Sequence, residues 1–383
     1  MTAFVLMVVA GYVGMQLLIY WRLRGALPAR GPWRWLLIGW LIGTGLAFFV
    51  SRALESRGWR WAACIAGLVS HWWVVASMWF VGLSLLAGCW NLAVRAAARW
   101  RPGAARLRLA PRTLVAGILT AVLALSAWGF IEAWAVRLET LEVYAPQLPP
   151  GSKPIRVVQV SDLHLNTLMS RGRLGRIVAR IREARPDLLV FTGDFADQAC
   201  PHVDALAAML EPLEAPLGKF AVTGNHEFYR GLAHSTPLIR AAGFTLLHGQ
   251  SVRVAPELVV AGVDDMAGLR AGVNVAADED NALPPRERRD FVILLKHRPY
   301  VEENSLGRFD LQLSGHIHGG QVFPARWPLK LFCRRLMGRY GLAHGSTLYV
   351  SRGAGTFGVP MRLLSPPEVT LIILQPGDEG GRP

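Results

Sequence analysis

The hydrophobic pattern divides the chain into two halves. Before residue 138, four stretches are apolar over nearly their whole length, and each is close to the roughly 20 residues that cross a bilayer as a helix. They are Phe4–Tyr20, Trp35–Val50, Ile65–Leu92 and Leu114–Val136. The pattern therefore predicts an all-α bundle of four transmembrane helices over residues 1–137.

Residues 138–154 interrupt the periodic pattern. Prolines and a glycine that cannot propagate a helix or a central strand accumulate at positions 146, 149, 150, 151 and 154. The sequence predicts a linker here.

From residue 155 onward, short apolar runs alternate with amphipathic segments. Strands are predicted at 155–160, 188–192 and 219–223, and helices near 174–184, 203–213 and 236–242. Beyond residue 244 the runs become strand-dominated, with a polar surface loop expected over 266–289. Alternation followed by successive strands predicts an α/β domain over residues 155–375, built from two packed β-sheets flanked by helices. Residues 376–383 are expected to be a disordered tail.

Composition follows the same division. Residues 1–150 hold fourteen Arg, no Lys and four Glu, so they carry +10 of the chain's net charge of +14. They also hold thirteen of the fourteen Trp, a residue type that is enriched where helices leave a bilayer. A basic excess beside apolar segments indicates membrane topology, and no nucleic-acid partner is expected.

The Arg distribution predicts which side of the membrane each loop faces. The loops after the first and third apolar stretches together hold ten Arg, whereas the opposite side holds four. Because positively charged loops stay in the cytoplasm, the N-terminus and the large second half are predicted to lie outside it.

Side chains of the kinds that bind metal ions follow five of the predicted strands. Ligands bind beyond the carboxyl ends of parallel strands, so residues at these positions are expected to meet at one edge of the fold. A purely structural role for all of them is disfavoured, because buried polar groups without partners cost stability. The set is Asp162, His164, Asp194, Asn225, His297, His316 and His318.

In order and approximate spacing, these motifs resemble the calcineurin-like metallophosphoesterases. The motifs are Asp162-x-His164, Gly193-Asp194, Gly224-Asn225-His226-Glu227, a single His297 and Gly315-His316-x-His318-Gly319-Gly320-Gln321. The likeness covers about residues 155–375 and leaves the four apolar stretches outside. The last motif, preceded by Ser314, also looks like the bacterial membrane-associated branch. With the charge pattern, this implies an integral protein of the bacterial inner membrane with an extracytoplasmic catalytic domain.

The resemblance implies two divalent metal ions that share one carboxylate. Phosphoester hydrolysis needs a nucleophile at neutral pH and neutralisation of developing charge, and two ions that bridge and deprotonate a water supply both. Imidazole and carboxylate ligands favour Mn, Fe or Zn over Mg. One ion would take Asp162, His164, Asp194 and His318, and the other Asp194, Asn225, His297 and His316.

The resemblance makes His226 the catalytic residue, which protonates the leaving alkoxide or stabilises its charge. Asp197 either orients a neighbouring group or caps a helix. Glu227, Asp264 and Asp265 have the same two interpretations.

The remaining histidines and the cysteines carry little functional signal. Surface or packing roles are expected for His71, His202, His234, His248 and His344. A disulfide between Cys200 and Cys333 is conceivable in an oxidising compartment, but two unpaired thiols are favoured.

These observations favour a membrane-anchored phosphoesterase in which a metal-bridging hydroxide attacks a phosphodiester or a lipid-linked phosphate, such as a phospholipid or a lipid-linked nucleotide. Two alternatives stay open. One is a tethered phosphatase or cyclic nucleotide phosphodiesterase with a soluble substrate, and the other is a catalytically idle membrane scaffold or sensor. A transporter is disfavoured, because the apolar stretches hold almost no polar residues suited to a substrate path.

The segment 323–340 mixes bulky apolar residues with five basic ones and includes Trp327. It either lies against the bilayer surface beside the site or is an ordinary basic loop anchored by a buried Trp.

Overall fold

The chain folds into two units, Met1–Trp128 and Gly129–Pro383. The structure, a computed structural model, describes residues 2–28, 30–197, 201–273, 275–285 and 290–377. Each unit is described by itself below.

The first unit is helical, as the apolar stretches predict. Its helices are α1 (Thr2–Arg24), α2 (Trp33–Ser56), α3 (Arg60–Ala98) and α4 (Pro111–Glu132), and the last four residues of α4 belong to the second unit. By length and composition all four could cross a membrane. His71 keeps its polar atom on its own helix, since its Nδ1 lies 2.6 Å from the Gly67 carbonyl oxygen.

The second unit contains two six-stranded sheets. The first has the order β1-β12-β2-β3-β4-β5 and the second the order β10-β11-β9-β8-β7-β6. The strands are β1 (Arg137–Ala145), β2 (Ile155–Val160), β3 (Leu188–Thr192), β4 (Lys219–Val222), β5 (Thr245–Leu246), β6 (Gln250–Ala255), β7 (Leu258–Gly262), β8 (Phe291–Leu295), β9 (Leu311–Ser314), β10 (Gly338–Gly341), β11 (Thr347–Val350) and β12 (Glu368–Pro376). The helices are α5 (Arg171–Ala184), α6 (Pro201–Ala207), α7 (Asn225–Arg230), α8 (Leu232–Ala241), α9 (Ala267–Arg270), α10 (Glu279–Ala282) and α11 (Arg326–Phe332).

The core explains why the strands are nearly continuous apolar runs. One cluster of buried side chains, including Val157, Val190, Val260 and Ile293, joins the facing sides of the two sheets. The outer side of the first sheet packs against helices in a second cluster. Strands covered on both faces lose the alternation of polar and apolar residues. The predicted pair of packed sheets flanked by helices is confirmed.

Helix α5 shows how local sequence sets one of these covering elements. The Ser170 side chain accepts a hydrogen bond from the Arg173 backbone N–H at 3.1 Å and caps the helix. Leu174, Ile177 and Ile181 recur at helical spacing and are buried against the first sheet.

The predicted linker is wrong over its first half. Residues 137–145 form β1, which pairs in parallel with β12 along nine positions, with Val143 and Ala145 buried. The prolines begin only at position 146, so they end the strand and do not prevent it. As an edge strand, β1 needs backbone partners on one side only. The boundary between units falls after Trp128, not at residue 137.

Other boundaries also differ. The expected loop 266–289 contains α9 and α10, and the buried Glu279 forms an ion pair with Lys296. Of the predicted tail, Pro376 belongs to β12 and residues 378–383 lie outside the described residues, as does Cys200.

We expect the second unit to need β1 in order to fold. A chain beginning at Gly151 loses Val143 and Leu148, which are 5% and 1% exposed, whereas a chain beginning at Ala135 keeps them. Burial of one such side chain contributes about 1.5–3 kcal/mol, against a typical total stability of about 5–15 kcal/mol. Thermal unfolding of the two chains should show a much lower midpoint, or no cooperative transition, for the shorter one. Equal midpoints would contradict an integral role for β1.

Candidate metal centre

The seven candidate ligands lie on loops that leave five strands at one edge of the second unit. Asp162 and His164 follow β2, Asp194 follows β3, and Asn225 follows β4. These three strands are neighbours in the first sheet, while β8 and β9, neighbours in the second sheet, lead to the three remaining histidines. The structure brings all seven residues together, as their positions at strand ends predict.

A first cluster combines residues from β2, β3 and β9. His318 Nε2 lies 3.4 Å from Asp162 Oδ1 and 3.1 Å from His164 Nε2. His164 Nε2 lies 3.6 Å from Asp194 Oδ2. All four side chains are buried.

A second cluster forms around His297 and uses the same oxygen of Asp194. His297 Nε2 lies 3.3 Å from Asp194 Oδ2, 3.1 Å from His316 Nδ1 and 3.2 Å from Asn225 Oδ1. One carboxylate oxygen is therefore common to both clusters.

These separations fit two metal ions. Bonds of about 2.0–2.2 Å at tetrahedral or octahedral angles place ligand atoms about 3.0–3.5 Å apart. The ring orientations agree, because His164 Nδ1 lies 2.7 Å from Asp197 Oδ1 and His297 Nδ1 lies 2.8 Å from the Thr192 carbonyl oxygen. Those acceptors take the Nδ1 hydrogens and leave both Nε2 lone pairs directed into the clusters.

The charges in the site are strongly coupled. Burial lowers the pKa of His164, but the carboxylates of Asp197, Asp194 and Asp162 outweigh burial and raise it to about 9. Burial also lowers the pKa of His297, but the Asp194 carboxylate outweighs burial and raises it to about 10. By contrast, burial and the neighbouring His297 lower the pKa of His316 to about 3.

Five of the seven residues have left-handed backbone conformations. Their φ values are 55° for Asp162, 48° for His164, 60° for Asp194, 73° for His316 and 53° for His318. Asp, Asn and His are the non-glycine side chains that tolerate this region best, and such conformations concentrate at functional sites.

Glu227 holds the loop that carries Asp194. Its buried carboxylate accepts hydrogen bonds from the backbone N–H groups of Asp194 and Phe195 at 2.9 Å each, and from Gly224 at 2.6 Å. Burial and the Asp194 charge raise the pKa of Glu227, and the N–H donors oppose them. Gly224 is required by close approach, since a Cβ there would lie 2.2 Å from Asp194 Oδ1.

His226 and Asp197 adjoin the first cluster. Asp197 Oδ1 lies 2.8 Å from His226 Nδ1 and 2.7 Å from His164 Nδ1, so it orients both rings. Burial opposes ionisation of Asp197, but the two histidines hold its pKa well below the usual range. Of the two interpretations left open by the sequence, the geometry places Asp197 as an orienting group.

The site includes two residues that sequence reasoning missed. The Phe357 ring lies 5.1 Å from the His226 ring and 5.5 Å from the His164 ring. Arg362 is fully buried, and its Nη2 lies 3.2 Å from His318 Nδ1. Its guanidinium donates to several backbone carbonyls, those of His318, Arg352, Gly353, Gly355 and Ser365. Burial lowers the pKa of Arg362 to about 9. The one available signal was a lone Arg inside the apolar run 359–364.

The other acidic and histidine candidates lie around the site. Asp265 pairs with Arg298 at 2.7 Å, and Arg298 borders an open cavity of about 660 Å³ with Met266 and Tyr300. Asp264 accepts hydrogen bonds from Thr223 Oγ1 and His248 Nδ1. Exposed positions hold His234 and His344, and His202 contacts the Met169 carbonyl.

Comparison with known proteins agrees with this geometry. The sequence profile of the calcineurin-like phosphoesterase family matches residues 155–320. A protein of Aquifex aeolicus named as an uncharacterized metallophosphoesterase is 41% identical over 252 residues, which cover 66% of this chain and 96% of that protein. A zebrafish (Danio rerio) protein named as a transmembrane protein with a metallophosphoesterase domain is 32% identical over 276 residues, covering 69% of this chain and 63% of that protein.

Among solved structures, a 5'-nucleotidase precursor from Thermus thermophilus aligns with a TM-score of 0.32 and 15% identity, over 58% of this chain and 54% of that one. The sequence relatives decide the assignment. The chain belongs to the calcineurin-like metallophosphoesterases.

Proposed function

We propose that this protein is a membrane-anchored phosphoester hydrolase with a dinuclear metal centre. The observation that carries the proposal is the pair of ligand clusters that share Asp194 Oδ2, with His226 beside them. Four apolar helices of spanning length support the anchor. The Arg-rich loops support an inner-membrane protein whose catalytic domain is extracytoplasmic.

The two clusters support a division of the ligands between two ions. Asp162, His164 and His318 would hold one ion, and Asn225, His297 and His316 the other, with Asp194 shared. Mixed imidazole and carboxylate ligands suit Mn, Fe or Zn. When bound, two such ions activate a water at neutral pH and neutralise charge on the phosphoryl oxygens.

The surrounding side chains supply proton transfer and orientation. Asp197 accepts the Nδ1 hydrogen of His226, which leaves the opposite edge of that ring to serve the leaving-group oxygen. Arg298, directly after His297 and partly exposed, places a positive charge near His316 of the second cluster, where it can attract a phosphate. The substrate is a phosphodiester or a lipid-linked phosphate, and a soluble phosphoester is the alternative.

Loss of the shared carboxylate should abolish metal-dependent hydrolysis. With full-length protein stripped of metal and resupplied with Mn, Fe, Zn or Mg, we expect cleavage of bis-p-nitrophenyl phosphate or p-nitrophenyl phosphate. Asp194→Asn should lower the rate more than about 100-fold, because even a group that only orients a metal ligand contributes about 10–100-fold. Asp204→Asn, on the exposed surface of α6, is the matched control. A folded, metal-loaded protein that cleaves neither ester would favour the idle scaffold.

His226→Gln should affect esters according to their leaving group. General-acid catalysis contributes about 10²–10⁴-fold when a poor leaving group must be protonated, and little for p-nitrophenolate. We expect kcat to fall by that factor for an alkyl ester and by much less for the p-nitrophenyl ester, at unchanged metal content. An equal loss for both esters, or a loss of bound metal, would make His226 a ligand and not the acid.

Metal binding should release protons at neutral pH. His164 and His297, with pKa values raised to about 9 and about 10, are protonated at pH 7 and must lose a proton to bind metal. Metal affinity should therefore rise with pH and level off above about pH 10. Calorimetry at pH 7 in buffers of different ionisation enthalpy should report about two protons released. Asp197→Asn, which removes one cause of the raised pKa of His164, should reduce that number. A binding heat independent of the buffer would contradict this assignment.

A further inference from the structure

Arg362 connects the metal centre to the last turn of α4. Its backbone N–H donates to the Gly129 carbonyl at 2.9 Å, while its Nη2 lies 3.2 Å from His318 Nδ1. Because one residue with a hydrogen bond at each end joins them, the distance between the Gly129 carbonyl and the His318 ring is on the order of 10 Å. Full burial of Arg362 and its several carbonyl acceptors fix the connection.

A second hydrogen bond ties the same loop to the end of the helix. The Leu364 backbone N–H donates to Glu132 Oε2 at 3.1 Å, and Glu132 is the last residue of α4. The 22 residues of α4 rise about 33 Å, only slightly more than the roughly 30 Å hydrocarbon core of a bilayer. If α4 spans the membrane, its last turn must lie at the boundary between hydrocarbon and headgroups. Each headgroup layer is about 5–8 Å thick, so the metal centre lies close above it.

Exposed apolar side chains lie on the segments that these hydrogen bonds connect. We call Ile131, Trp327, Leu331, Phe332 and Leu364 the apolar rim. Their exposures are 63%, 63%, 82%, 69% and 59%. Arg326 Nη2 donates to the Leu364 carbonyl at 2.7 Å, which ties α11 to the loop held by Glu132. Trp327 is exposed, so the interpretation of segment 323–340 as a basic loop anchored by a buried Trp is wrong.

Basic residues beside the apolar rim favour a membrane surface as its binding partner. Arg326, Lys330, Arg334 and Arg335 lie in or directly after α11, and basic residues near a membrane surface attract anionic headgroups. Trp is enriched at membrane interfaces, where its ring is partly in hydrocarbon. Continuity with the end of a spanning helix favours the bilayer over a second protein as the occupant.

The apolar surface also reaches the catalytic residues. Phe357, which is 49% exposed, packs on His226 and His164. Its backbone N–H and carbonyl oxygen bond to the Gln321 side chain at 2.9 and 2.8 Å. Gln321 closely follows His318, and its backbone pairs with Leu363 at 2.9 Å. The loops that carry the rim therefore also line the metal centre.

We propose that the apolar rim inserts into the headgroup layer of the bilayer that holds α4, and that the metal centre takes its phosphoester from that bilayer. The substrate class is an amphiphilic phosphoester whose hydrocarbon part stays in the membrane while its phosphate reaches the metal centre past Phe357. The substrate class rests on the proposed function, whereas the insertion does not.

Insertion can be measured without activity. Full-length protein with its native cysteines replaced by Ser is labelled with the fluorophore NBD at Leu331→Cys and placed in nanodiscs of phosphatidylcholine and phosphatidylglycerol. Lipids that carry a doxyl quencher should quench this label. The control is Tyr144→Cys, because Tyr144 is 56% exposed but lies seven residues along β1 from Arg137, or about 23 Å at strand rise. Equal quenching at both positions, or none at 331, overturns the insertion.

The substrate class is tested in the same nanodiscs. The triple variant Trp327→Gln/Leu331→Gln/Leu364→Gln should hydrolyse a soluble p-nitrophenyl ester at an unchanged rate. It should hydrolyse a phospholipid in the disc about tenfold more slowly or worse, because each substitution removes apolar area that insertion would bury in the membrane. Tyr144→Gln should change neither rate. Unchanged lipid hydrolysis in the triple variant, or hydrolysis of soluble ester alone by the unaltered protein, overturns the bilayer substrate. If the unaltered protein cleaves no ester, the proposed function fails, and the quenching result still decides the insertion.

Discussion

The carboxylate of Asp194 is the interaction on which the site depends. Its Oδ2 lies 3.6 Å from a histidine that follows the first sheet and 3.3 Å from one that follows the second. Its Oδ1 accepts the His226 backbone N–H at 2.9 Å, and its own backbone N–H is held by Glu227. One side chain therefore lies between ligand residues that follow strands of both sheets. Several imidazoles and carboxylates converge there in a buried space. Bound cations would give these buried groups partners, and buried polar groups without partners cost free energy.

The backbone shows how much of the fold serves that convergence. Left-handed conformations at five ligand positions each cost of the order of 1–3 kcal/mol, and they persist only where surrounding contacts hold them. Those contacts are visible. The Asp162 N–H donates to the Gly193 carbonyl at 3.0 Å, and the His164 N–H donates to the Asp194 carbonyl at 3.1 Å. The His316 N–H donates to Asp162 Oδ1 at 3.0 Å. Each of these ligand loops is thus braced by a hydrogen bond to another ligand loop.

The sequence predicted the features that neighbouring residues determine, and it missed those that depend on contacts between residues far apart in the chain. The run from Leu188 to Thr192 identifies a strand by itself, and the residue after its glycine then faces the shared edge. Strand β1 escaped prediction because an edge strand with exposed positions, followed by prolines, has no distinctive period. Arg362 and Phe357 escaped because their partners His318 and His226 are 44 and 131 positions away. The role of Asp197 needed a measured distance to two rings, which spacing alone does not supply.

Residues of β1, Glu132 and Arg362 tie the metal centre to the final turn of α4 within the second unit. Only four residues separate the end of α4 from the start of β1, and β1 pairs at once with β12. The Leu364 and Arg362 N–H groups donate to Glu132 and Gly129, so two hydrogen bonds hold the loop beside His318 to that turn. A flexible linker at this point would let the distance between the turn and the metal ligands vary, because each additional linker residue adds freedom. A fixed distance matters for any substrate that a bilayer holds at one depth, because its phosphate and the metal ligands must meet at one height above the membrane.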